Sequence, residues 1–152
     1  MFSRSLCFDD VLIVPQYSEI MSRREEVDTS VVFCNGPSLD VPVISSPMDT
    51  VTESSMASSM ALFGGLGIIH RYNSPSQQAQ LVSEAVEAVK QDRSPNIGFA
   101  VGVGDDMLKR VQACLNAGAN FVCVDIAHGH HALMRHTLKV LRNTFGNDVH
   151  IM

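Results

Sequence analysis

The stretch IGFAVGVGDDMLKRVQACLNAGANFVCVD, residues 97 to 125, decides the fold. It opens with five apolar residues and closes with FVCVD, and neither run alternates polar with apolar. Continuous short apolar runs are the pattern of strands buried on both faces, as in a parallel sheet. Between them Leu108, Val111 and Leu115 fall at helical spacing, and Gly118 stands where a helix would stop. This is a strand–helix–strand unit, and a parallel strand pair needs such a crossover.

Working outward, the same unit recurs. VPVIS (41–45) and GIIH (67–70) read as two earlier strands. After the first, Thr50 and Glu53 form a T-x-x-E capping box leading into MASSMALF and the Gly64-Gly65 stop. After the second, Ser74, Pro75 and Gln77 supply an N-cap, a proline at the first helical position and an S-x-x-Q box. Val82, Ala85, Val86 and Val89 then share one helix face. After FVCVD, the residues Met134, Leu138, Leu141 and Phe145 mark a fourth helix that ends at Gly146. NDVHIM follows, where a fifth strand would begin.

Four βα units in a row imply a parallel sheet wrapped by helices, either doubly wound or a (β/α)8 barrel. A barrel needs eight strands and typically about 250 residues, so 152 residues would supply about its first four units. Such a half would leave open strand edges and an uncovered apolar interior, an aggregation hazard. The alternative is a complete small open-sheet domain.

Composition narrows the function classes. The chain is 45% hydrophobic and 18% charged, the balance of one globular domain. Its net charge is -5 and its 11 Lys and Arg are scattered, which argues against a nucleic-acid partner. No apolar stretch approaches the ~18 residues of a membrane span. Asp9 and Asp10 interrupt the only amino-terminal run that resembles a signal peptide. Cys7, Cys34, Cys114 and Cys123 show no paired spacing, which suits a reducing compartment; the expectation is a cytoplasmic protein.

In parallel α/β folds, ligands bind beyond the carboxyl ends of the strands. Residues 45–53, 70–73, 102–104 and 125–131 occupy that position and should converge on one mouth. Ser45 and Ser46 precede a helix start, where free N–H groups hold a polar ligand or where the hydroxyls simply cap. G-V-G at 102–104 lacks a third glycine and reads as a tight strand-to-helix turn. In DIAHGHH, His128 and His130 give the H-x-H of some zinc sites. They lie in a turn, and no neighbouring Cys or Glu completes a ligand set, so no metal is expected. Asp125, at a strand tip, suits a cofactor ribose contact, and His130 and His131 read as the start of the next helix.

Four motifs in order, FDDVLIVPQYSEIMSRREEVDTS (8–30), PVISSPMDTVTE (42–53), GGLGIIHRYN (64–73) and VDIAHGHH (124–131), resemble the amino-terminal half of inosine monophosphate dehydrogenase. The related GMP reductases share much of the pattern. The resemblance runs from about Phe8 to the last residue and selects the barrel over an open sheet. It implies NAD-dependent oxidation of IMP to XMP, in which a cysteine attacks the purine C2, hydride passes to NAD and a covalent thioimidate is hydrolysed. It further implies that Ser46 and Met48 contact IMP and that Asp49 holds the adjoining turn. Asp125 would meet the nicotinamide ribose, Ile126 and Ala127 would lie along the cofactor, and Arg71 would stand near it.

The family's regulatory CBS modules usually follow the second helix; here only QDRSPN (91–96) separates that helix from the next strand. The catalytic cysteine loop, the phosphate loops and the flap belong to the family's other half, so none of the four cysteines matches the nucleophile, and this portion alone is expected to be inactive. A homotetramer and a potassium ion, whose site is not in this chain, are further expectations of the resemblance. Pro47, where reductases tend to have Asn, and GGLGIIHR favour the dehydrogenase, whereas DIAHGH occurs in both branches. His131 stands where relatives often have Ser. An NADPH-dependent GMP reductase is the alternative within the family, and a non-catalytic nucleotide-binding module the alternative outside it.

Overall fold

The structure, a computed structural model, describes residues 4–22, 24–32, 36–90 and 96–152. A short 3-10 turn (Phe8–Asp10) and an antiparallel pair, β1 (Val31–Val32) and β2 (Ser38–Leu39), precede the repeating part. Then come β3 (Ile44–Ser45), α1 (Ser54–Leu62), β4 (Leu66–Ile69), α2 (Pro75–Val89), β5 (Ile97–Val101), α3 (Met107–Asn116), β6 (Phe121–Val124), α4 (Ala132–Phe145) and β7 (His150–Ile151). The QDRSP part of the short connection after α2 lies outside the described residues.

The five strands β3 to β7 are parallel and lie side by side in chain order. A doubly wound sheet reverses its strand order at a switch point and carries helices on both faces. Here there is no reversal. The outward strand residues Ile69, Ile97, Phe99, Val101, Val122 and Val124 share one core with residues of all four helices. Leu66, Ile68, Ala100 and Phe121, at the alternate positions, form a separate core on the opposite face. A consecutively wound sheet with every helix outside is a wall of a (β/α)8 barrel. His150 and Ile151 pair with Phe121 and Val122, so the fifth strand forms where the sequence places it.

The inner face departs from expectation. Leu66, Ile68, Ala100 and Phe121 are all buried. Two features close this surface. Curvature brings inner side chains together: Gly98 has no room for a side chain, because a Cβ there would stand 2.4 Å from Ile68 Cδ1 and 3.3 Å from Phe121 Cβ. The β1–β2 pair then covers the amino end, where Leu39 packs into the inner core. Asn96 Nδ2 donates to Ser38 O at 3.2 Å, and the His150 ring lies 5.1 Å from that of Phe121. Burying a side chain of this size contributes roughly 1.5–3 kcal/mol, so the wall has an inner core of its own. The most exposed apolar side chains lie on the amino-terminal arm, where Phe8 (96%), Leu12 (95%) and Ile13 (96%) face solvent.

The helix starts and faces are partly as read. Ser74 caps α2 with its side chain accepting from Gln77 N, and the capping box is complete. Gly118 ends α3 at φ +102, a left-handed conformation that favours glycine, while Ala119 N donates back to Cys114 O. The Thr50–Glu53 box does not form. Glu53 itself is the N-cap of α1, without a side-chain cap bond, because Thr50 is taken up in the preceding turn. Leu108 and Leu138 lie on the exposed sides of their helices. The buried face of α3 is Met107, Arg110, Val111 and Cys114.

Candidate functional site

The turn between β3 and α1 is built around Thr52, which is fully buried. Its hydroxyl lies 2.7 Å from Ser46 O and 2.9 Å from Ser45 Oγ, and its N–H donates to Met48 O. Ser46, Met48 and Asp49 are thereby held on the exposed outside of the turn at the carboxyl end of the sheet. Asp49 borders a hollow of about 450 Å³ shared with Glu53, His70 and Tyr72.

The turn after β4 is organised by His70, which is 4% exposed. Tyr72 N donates to His70 Nδ1 at 3.2 Å, so that nitrogen accepts, and Nε2, 3.2 Å from Glu53 Oε1, carries the proton. The next residue, Arg71, reaches across the mouth. Its Nε stands 3.9 Å from Asp125 Oδ2, its guanidinium lies over the Tyr72 ring at 5.5 Å, and Gly102 leaves room for it, a Cβ there meeting Arg71 Nη1 at 3.4 Å. Arg71 Nε is closed to solvent and makes no hydrogen bond within the protein.

Asp125 extends β6 by one residue, its N–H donating to Val101 O at 2.9 Å, and Asp125 and Ile126 are half-buried. Arg71, Gly102, Val103, Gly104, Asp106, Arg110 and Ile126 enclose a cavity of about 350 Å³. Of the sequence-derived cofactor residues, the fold thus brings together Arg71, Asp125 and Ile126. Ala127 is exposed on the rim, and Ser46, Met48 and Asp49 lie on the neighbouring β3–α1 turn. A partly exposed carboxylate, a partly exposed arginine and a glycine turn are groups that a polar ligand's hydroxyls and phosphates can bond.

The histidines of the β6–α4 turn serve its structure. His131 caps α4, its Nδ1 accepting from Leu133 N at 3.1 Å. The His128 ring stands edge-on to those of His130 and His131, at 6.5 and 6.4 Å. Among the described residues no group of three His, Cys, Asp or Glu is placed to hold a metal. Burial pushes the Cys114 thiol up to about 12. Burial, and after it the Asp125 charge, pushes Cys123 up to about 11. Both are neutral thiols at physiological pH.

Sequence reasoning missed the polar groups beneath the mouth. Gln78 is fully buried, with Nε2 donating to Ile69 O, His70 O and Ala100 O. Its Oε1 accepts from Arg110 Nη1 at 3.1 Å. The signal was present: Gln78 is four residues before Val82 on the same face of α2, and Arg110 is three after Met107 and four before Cys114 on the buried face of α3.

Comparison with known proteins agrees with this architecture. An IMP dehydrogenase / GMP reductase domain model matches residues 5–152. Inosine-5'-monophosphate dehydrogenase of Cryptosporidium parvum is 30% identical, over 96% of this chain and 45% of the relative. That of Bacillus subtilis (strain 168) is 54% identical over a shorter stretch, 52% of this chain and 16% of the relative. The crystal structure of inosine 5' monophosphate dehydrogenase from Legionella pneumophila superposes with a TM-score of 0.79 at 38% identity, over 94% of this chain and 42% of that one. The chain therefore spans less than half the length of these relatives. With a family match across nearly all its residues, it belongs to the IMP dehydrogenase / GMP reductase family.

Proposed function

We propose that this chain supplies the amino-terminal half of the catalytic barrel of an NAD-dependent IMP dehydrogenase, without a CBS insertion after α2. The observation that carries the reading is that Arg71, paired with Asp125, lines with Ile126 a cavity at the carboxyl end of the sheet. In this reading the Asp125 carboxylate accepts hydrogen bonds from the nicotinamide ribose, and Ile126 and Ala127 pack along the cofactor. Arg71, a third of whose side chain is exposed, presents its guanidinium on the same side. Ser46 and Met48 contact the IMP from the next turn, and Asp49 holds that turn. NAD, when bound, supplies the hydride acceptor.

The attacking thiolate is assigned to the portion of the relatives that this chain does not match. Cys114 and Cys123 stay protonated at neutral pH, and Cys7 lies on the exposed arm outside the mouth. The names of the matched relatives, inosine-5'-monophosphate dehydrogenases, support the dehydrogenase over the reductase.

The test is an assay of the full reading frame carrying this chain. IMP-dependent formation of NADH supports the proposal. NADPH-dependent loss of GMP would assign the reductase instead, and nucleotide binding without turnover by either route would assign a binding module.

A further inference from the structure

Arg71 sits in the middle of a segment, Ile69 to Asn73, that is tied at both ends to one buried polar network. At the strand end, Gln78 Nε2 donates to Ile69 O (3.2 Å) and His70 O (2.9 Å), and across to Ala100 O of β5 (2.9 Å). His70 O lies just past the last paired residue of β4, Ile69, and Ala100 O just past its partner Phe99, so Gln78 supplies a donor where the β4–β5 ladder ends. At the helix end, Arg110 Nη2 donates to Asn73 O (2.8 Å), and Nη1 stands 3.3 Å from Asn73 Oδ1. The two ends are joined, because Arg110 Nη1 also donates to Gln78 Oε1 (3.1 Å). Asp106, one turn before Arg110 on α3, accepts from its Nη2 (3.0 Å) and Nε (3.3 Å) and fixes the plane of the fork.

A network made only to fill the core would need no connection to the mouth. This one reaches it: Arg110 and Asp106 line the same cavity as Arg71 and Ile126. An arginine fork presents its donors in a rigid plane, which lysine cannot reproduce.

We propose that Gln78 and Arg110 are positioning residues that hold the Ile69–Asn73 segment so that Arg71 stands beside Asp125 at the edge of the dinucleotide site. Gln78 is fully buried, and Arg110, though on the cavity wall, spends its donors on Gln78, Asn73 and Asp106; both act through Arg71. The inference rests on the reading of that cavity as the dinucleotide site.

The experiment takes the full chain with Gln78→Leu, Arg110→Lys and Arg71→Ala, together with the Gln78→Leu/Arg71→Ala pair. NAD dissociation constants come from calorimetry, and amide exchange at residues 70–73 and 122–124 from NMR. Arg110→Lys keeps the charge and is the variant to use if Gln78→Leu does not fold. The expected result is that each single variant weakens NAD about five- to twenty-fold and the double variant no more than the worse single. Exchange at residues 70–73 should rise at least about ten-fold in Gln78→Leu and Arg110→Lys, with residues 122–124 unchanged. Multiplying losses in the double variant, or unchanged affinity in folded Gln78→Leu and Arg110→Lys, would overturn the positioning role. If the unmodified chain binds no NAD, the dinucleotide reading fails for this chain and exchange alone decides the clamp. Selective loosening of residues 70–73 supports it, and uniform or absent change overturns it.

Discussion

The turn after β4 and the turn after β6 deliver Arg71 and Ile126 to the same cavity, with Asp125 beside Arg71, yet they are held by different means. Beneath the first lie a fully buried glutamine and an arginine whose donors are all engaged, with His70 fixed in one tautomer above them. The second is held by one extension of the sheet ladder, Asp125 N to Val101 O, and by the His131 cap. A side chain at Gly129 would meet nothing within 4 Å. Polar groups buried with full partners rigidify a site, whereas segments with few buried contacts are the ones that rearrange. The difference assigns the β4–α2 turn the role of fixed wall and the β6–α4 turn the role of the part that adjusts to a ligand.

The largest effect expected from breaking this contrast is at Arg110. Arg110→Met leaves Asn73 O without its donor and Gln78 Oε1 with only the Cys114 thiol, and should cost about 3 kcal/mol of unfolding free energy. The measurement is a urea titration. A loss within about 0.5 kcal/mol, the range of an ordinary surface change, would remove the claim of a fixed wall. His131→Ala removes only a helix cap and should cost about 1 kcal/mol by the same titration. A cost equal to that of Arg110→Met would erase the distinction.

Smallest near neutrality is the effect of the two thiols, one under each turn. Their folded values, about 12 for Cys114 and about 11 for Cys123, lie above the ordinary 9.0. Above about pH 9 the unfolded chain releases protons that the folded chain retains, so unfolding is favoured. Their contribution to stability is complete below about pH 9 and is lost as pH rises toward 11 and then 12. Urea midpoints that fall across this range, and fall less in Cys114→Ala, would agree. A flat profile would show that the thiols are not buried as described.

Much of the frame was legible because it rests on apolar periodicity. IGFAV and FVCVD are strands, Ser74 and Gly118 bound helices, and the turns meet at one end. Three things were hidden. Counting only apolar residues chose Leu108 and Leu138 as core positions, although the buried stripes run through Arg110 and Thr137. A polar residue enters a core when strand ends leave carbonyls to satisfy, and strand ends are not visible before the fold. Thr50 and Thr52 both fit a helix start; Thr52 is the buried one because only it faces Ser45 and Ser46. The closed inner core was missed because it depends on curvature and on Leu39, far upstream of the sheet. Of the site, the resemblance placed Arg71 and Asp125 separately near one cofactor; their approach to each other and the clamp beneath it were not foreseen.

The central claim is that nucleotides bind at the carboxyl end of this sheet. It is tested most directly by NMR titration of the full chain with NAD and, separately, with IMP. The account predicts shift changes at Arg71, Gly102, Asp125 and Ile126 with NAD and at Ser46 and Met48 with IMP. Changes gathered around Leu39 and His150 at the opposite end, or no saturable change with either nucleotide, would contradict it.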